Sequence, residues 1–206
     1  MNFQPGNLYH VYNQGNNLQI IFLDHKDYLA FTGFTRKYLL PYSEIIAWCL
    51  MPNHFHFMLY ADERSSTIIK QGGNNIDVVV NGIRKLLSGY ARAFNNRYQR
   101  SGSVFRPKTK SKCLNDIAFD ILLKNKTNPE AYYSTCFHYI HQNPLRAGLV
   151  ERIENWEYSS FKDYAGLREG TLCNKEIAEK LCLFNPDAFI EESHEQLPIE
   201  ITNALK

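Results

Sequence analysis

MPNHFHFMLY, residues Met51 to Tyr60, decides how this chain is read. Side chains on a β-strand alternate between two faces, so Phe55, Phe57 and Leu59 share one side while His54, His56, Met58 and Tyr60 share the other. The first side reads as core. On the second, two imidazoles stand roughly 7 Å apart along the strand, close enough to reach one ion. Taken alone, the pair is equally well explained by buried histidines held in ordinary hydrogen bonds.

Working outward, SEIIAWCLM before the stretch reads as a second strand. Pro52-Asn53 is a turn-favouring pair, which makes the two strands adjacent and antiparallel. Upstream, NLYHVYNQ and LQIIFLD read as strands around a turn at Gly15-Asn16-Asn17, and HKDYLAFTGFTRKYLL reads as a helix. Downstream comes a polar Gly/Asn-rich stretch, STIIKQGGNN, in which Gly72-Gly73-Asn74-Asn75 reads as a lengthened loop. A long helix follows, with Ile83, Leu87, Tyr90, Ala91, Phe94 and Tyr98 at helical spacing. After the Ser101-Gly102-Ser103 loop come a short strand near KTKSKCL and helices from about Asp116 and about Pro129. This is an α+β order, with no internal repeat.

The 206 residues, 44% of them hydrophobic, are enough to bury a full core as one domain with an appendage. No apolar run approaches the roughly 18 residues that span a bilayer, and MNFQPGNLYH lacks a basic region followed by an apolar one, so a cytoplasmic location is expected. Five dispersed cysteines without a C-x-x-C pair argue against a disulfide framework or zinc knuckle. The formal net charge of +2 hides an asymmetry. From Arg84 to Lys112 the charged residues are all basic: Arg84, Lys85, Arg92, Arg97, Arg100, Arg106, Lys108, Lys110 and Lys112. They are interleaved with Tyr90, Phe94, Tyr98 and Phe105, which gives cations for phosphates and rings for bases. A solvated helix face explains the charges equally well. The segment from Asn185 onward is mostly acidic.

The helix from Pro129 carries FHYIHQNPLRAGLV. Tyr139 and Asn143, four apart, are neighbours on one helix face, with His141 pointing elsewhere. Pro144 disfavours helical geometry at the preceding residue, so the helix is expected to end or kink near Asn143. In order and separation, MPNHFHFML, YARAFNNRYQRSGSVF, YIHQNPLRAGLV and WEYSSFKDY resemble the single-tyrosine HUH transposases, in the branch of REP-associated tyrosine transposases. The resemblance runs from about Gly6 to about Gly166. It implies a ferredoxin-like antiparallel β-sheet flanked by α-helices, formed by residues 1–166; the tail it does not cover, 167–206, reads as a partly helical C-terminal extension with an acidic end. It further implies that Tyr139 is the nucleophile and that His54, His56 and Asn143 hold a metal. FRPKTKSK departs from the pattern, with Arg106 and Lys108 where a glutamine and an aromatic residue are expected.

The chemistry suits these residues. A tyrosyl oxygen conserves the energy of a broken phosphodiester as a phosphotyrosine, so rejoining reverses the step. A phenol with pKa near 10 needs help against an anionic phosphate, and a divalent ion supplies it. Two nitrogens and one oxygen suit Mg²⁺ or Mn²⁺, with Mn²⁺ tolerating imidazole better. The expected partner is single-stranded or hairpin DNA, contacted by Arg84, Lys85, Arg92, Arg97, Arg100, Phe105, Arg106 and Lys108, and the oligomeric state stays open between monomer and homodimer. A catalytically silent DNA-repeat-binding protein is the alternative. A histidine-triad hydrolase is disfavoured because Met58 fills its third alternating position, and an amidohydrolase barrel needs about 250 residues.

Overall fold

The computed structural model describes residues 1–116 and 129–205. The helix expected from about Asp116 begins at Leu114 and otherwise lies outside the described residues.

The chain starts with β1 (Leu8–Gln14), α1 (His25–Tyr38), β2 (Glu44–Met51) and β3 (His54–Tyr60). A hairpin, β4 (Ile68–Gln71) and β5 (Asn74–Asp77), leads into α2 (Val78–Arg97) and then β6 (Lys110–Cys113). The four-stranded sheet has the order β2-β3-β1-β6 with every pair antiparallel. With β1-α1-β2-β3-α2-β6 along the chain, this is the ferredoxin-like arrangement, and β4–β5 is inserted between β3 and α2. The expected α+β sheet and the β2–β3 turn at Pro52-Asn53 are present.

Helix α1 starts where its sequence permits. Asp24 caps the backbone of Lys26 and Asp27, and the Asp27 carboxylate accepts back from Asp24. Helix α2 lies against α1, with Gly82 at the crossing: a Cβ there would stand 2.2 Å from the Tyr38 carbonyl oxygen. Together they bury Phe31, Ile83, Leu86, Tyr90 and Phe94 on Phe55, Phe57 and Leu59.

The other face is covered too. There the sheet meets α3 (Pro129–Arg146) and the C-terminal helices α4 (Phe161–Tyr164), α5 (Lys175–Cys182), α6 (Phe189–His194) and α7 (Ile199–Leu205). Leu8, Met58, Phe137, Ile140, Phe161, Phe189 and Leu205 form this second core. The His54/His56 face is therefore not an open surface, and residues 167–205 fold back onto it. Among the described residues no helix is long and apolar enough to cross a membrane.

Two local expectations fail for physical reasons, and the helix expected to end or kink near Asn143 ends at Arg146. LQIIFLD is not a strand: both neighbours of β1 are already taken, and the Ile21 and Phe22 amides donate to the Pro52 carbonyl instead. Gly72 to Asn75 is not a lengthened loop, because positive φ at Gly72 and Gly73 allows a two-residue turn that closes β4 on β5. Helix α3 continues through Pro144 to that end. Ala147 donates to Asn143, Gly148 to Leu145 and Leu149 to Pro144, and these bonds complete the last turn without the missing proline N–H.

Candidate active site

Strand register builds the floor of the site. Within the sheet, Tyr12 lies opposite His56 and Gln14 opposite His54, so β1 presents His10, Tyr12 and Gln14 on the same face as the histidine pair. Helix α3 forms the roof. Its apolar side sinks Phe137 and Ile140 into the second core, and His141 bonds the Ser160 hydroxyl at 2.8 Å on the side away from the pair. That anchoring sets Tyr139 and Asn143, one turn apart, over β3. A cavity of about 230 Å³ lies between, lined by Tyr12, Asn13, Gln14, His54, His56, Tyr139, Asn143 and Leu205. All four residues assigned to catalysis and metal from the sequence meet there.

The rings fix one another. His54 and His56 stand edge to face at 5.0 Å, and Tyr139 stands edge-on to His56 at 6.0 Å. The Nδ1 of His54 is 2.6 Å from the Asn53 side-chain oxygen, which leaves its Nε2 for another partner. The Nε2 of His56 is buried and has no hydrogen-bond partner among the described residues. Burial pulls the pKa of His54 down to about 4, and burial with His10 and His54 nearby pulls His56 well below its ordinary value. Both imidazoles are neutral at neutral pH, the state a metal ligand requires.

Asn143 donates its amide N–H to the Tyr139 carbonyl at 2.7 Å, so its side-chain oxygen is the atom offered to a cation. Among the described residues no three His, Cys, Asp or Glu side chains converge as a metal site. The donor set is two imidazoles and one carboxamide, which fits an ion that keeps open positions for phosphate and water. Tyr139 is 6% exposed, and burial raises its pKa while Arg146, 5.7 Å from its ring, opposes the rise. Tyr132, on the same helix, sits deep in the second core and does not line the cavity.

The residues expected to contact DNA separate into four groups. Arg84, Lys85 and Arg92 are exposed on α2, across the sheet from the tyrosine. Arg97 is committed elsewhere, to Asp24 at 2.5 Å and to buried Asp27 at 2.8 Å, and Arg100 donates to the Gln19 side-chain oxygen at 2.6 Å. Phe105 is 7% exposed and packs on Phe31, Phe55 and Tyr90. With Tyr90 and Phe94 also buried, these rings serve the core and cannot stack on bases. Arg106 and Lys108 are exposed near the cavity, where the Arg106 N–H donates to the Gln14 carbonyl.

Sequence reading passed over His10, Tyr12, Gln14 and Leu205. The first three alternate in LYHVYNQ as the histidines do in HFHF, a signal that needed only the register of β1 against β3. Leu205 carries no such mark. A second cavity, of about 260 Å³, lies between α1 and the segment 157–172, with Tyr28, Trp48 and Tyr158 in its walls. Neither the histidine pair nor Tyr139 reaches it.

No protein-family model matches the chain, and no curated protein matches it by sequence. Among solved structures it is similar to a REP-associated tyrosine transposase determined in complex with a REP hairpin. The TM-score is 0.52 at 17% identity, over 84% of this chain and 92% of the other. The chain thus has the fold of that transposase.

Proposed function

We propose that this chain is a metal-dependent, single-stranded DNA transposase that cleaves and rejoins hairpin-associated DNA through Tyr139. The observation that carries the reading is the convergence of His54, His56, Tyr139 and Asn143 on one cavity from two distant parts of the chain. The fold shared with a transposase bound to hairpin DNA supports it.

In the proposed reaction the Tyr139 oxygen bonds to phosphorus as the bond to the 3′ oxygen breaks, and the phenolic proton ends on the released 3′ hydroxyl. The product is a 5′-phosphotyrosine, and reversal rejoins the strand. The Nε2 atoms of His54 and His56 and the Asn143 oxygen would hold Mg²⁺ or Mn²⁺, which withdraws charge from the scissile phosphate. Arg146 favours the phenolate that attacks. The test is incubation with hairpin DNA and Mn²⁺, scored as a covalent protein–DNA adduct. Wild type forms the adduct and Tyr139→Phe does not; an adduct in the variant refutes the assignment. Replacing either His54 or His56 by Ala should abolish cleavage while leaving DNA binding within about 3-fold.

One feature favours the second reading, a DNA-repeat-binding protein that no longer cuts: Leu205 walls the cavity, and the Lys112 ammonium donates to the Ala204 carbonyl beside it. No adduct with any hairpin, alongside intact binding, would decide for that reading.

A further inference from the structure

One imidazole at the site has no part in the chemistry above. His10, fully buried on β1, places its Nε2 2.9 Å from Nδ1 of His56, with the rings stacked at 5.1 Å and 16°. Tyr12 stacks on both rings, at 4.8 Å and 5.8 Å, and Tyr139 stands edge-on to His10 at 6.1 Å. At the far side of each imidazole, Nδ1 of His10 and Nε2 of His56 are buried with no hydrogen-bond partner among the described residues.

Two neutral imidazoles joined by one hydrogen bond have two arrangements. With the bonding proton on His10, Nδ1 of His56 accepts, its Nε2 carries the hydrogen, and no lone pair remains for a cation. With the proton on His56, Nδ1–H donates to His10 and Nε2 is a free lone pair. Each arrangement leaves one buried N–H unpaired, so the protein alone gains little by choosing between them. A cation at the cavity binds only the second.

We infer that His10 is the positioning residue of His56: it accepts the Nδ1 proton, holding the ring in the tautomer and orientation in which Nε2 can bind a cation. This rests on the metal site proposed above. A ligating histidine normally hands its other N–H to a carboxylate or carbonyl; here a neutral imidazole takes that part, clamped by Tyr12 and Tyr139. Cation binding and the proton's place in the His10–His56 bond are thereby coupled.

The test measures Mn²⁺ binding by electron paramagnetic resonance in wild type, His10→Leu, His10→Gln and His54→Ala, with thermal melting as the folding control. Loss of an outer partner typically weakens metal affinity about 10- to 100-fold, and that loss is expected in His10→Leu. His10→Gln should recover most of it, because its amide oxygen reaches the position of the imidazole Nε2. Long-range ¹H–¹⁵N spectra of wild type with Mg²⁺ should show His56 protonated at Nδ1. The inference is overturned if folded His10→Leu binds Mn²⁺ like wild type, if folded His10→Gln does not recover, or if His56 carries its proton on Nε2. Should His10→Leu fail to fold, the glutamine variant and the wild-type spectrum still decide. If wild type binds no Mn²⁺, or His54→Ala binds it unchanged, the metal site itself is wrong. A loss confined to His54→Ala removes only the role of His10.

Discussion

Asp27 shows how much one side chain can organise. It closes the α1 capping box and accepts from the Leu23 amide at 2.8 Å, from Arg97 at 2.8 Å and from the Tyr98 hydroxyl at 2.9 Å, while itself buried. Removing Arg97 leaves that carboxylate without its cation. Because the Asp27 carboxylate is buried while Arg97 reaches solvent, Arg97→Ala should lower the urea unfolding midpoint. DNA affinity should keep its salt dependence in that variant. In Arg106→Ala/Lys108→Ala the slope of log affinity against log salt should fall by about 1.4, at about 0.7 per contact on single strands. The reverse pattern would put the DNA path along α2. Sequence counts both sets as cations because the partner that neutralises Arg97 lies about seventy positions upstream, a pairing that only the packing of α2 on α1 creates.

Among the elements, α3 and α7 decide access to the cavity. The i to i+4 spacing of Tyr139 and Asn143 was legible in the sequence because it is local. The lid was not, since nothing in the seven residues of α7 indicates where Leu205 docks. A chain ending at Pro198 loses both Leu205 and the Lys112–Ala204 bond. On the proposed function, its adduct with hairpin DNA should form several-fold faster than that of wild type. An equal or slower rate would mean that DNA enters from a side α7 does not guard. The same limit of local reading explains LQIIFLD. Of its apolar residues only Ile21 and Phe22 are buried, while Leu18, Ile20 and Leu23 are exposed, and a strand also needs a neighbour with free hydrogen-bonding groups, which the sheet order does not leave.

Across the whole molecule, buried histidines tie stability to pH. Burial pulls His10 down to about 3 and His138 to about 4, and it lowers His56 and His141 well below their ordinary range. An unfolded chain protonates these groups near pH 6.5, whereas in the folded one burial keeps them neutral well below that. Below pH 6.5 the unfolded state therefore binds more protons than the folded one, so stability drops as pH falls. The urea midpoint should decline steeply from pH 6.5 to 4.5; a flat profile would mean that these imidazoles take up protons in place. The sheet was legible from alternation and turn chemistry, but the covering of its second face was not, because that layer is built from short helices brought in from the end of the chain. That layering also sets an order in time. A chain is made at about 5–20 residues per second, so Leu205 follows Tyr139 by about 3 to 13 s. On the proposed function, the chain made up to that point lacks the wall that Leu205 gives the cavity, so the layer that guards the site is the last part of the described fold to be supplied.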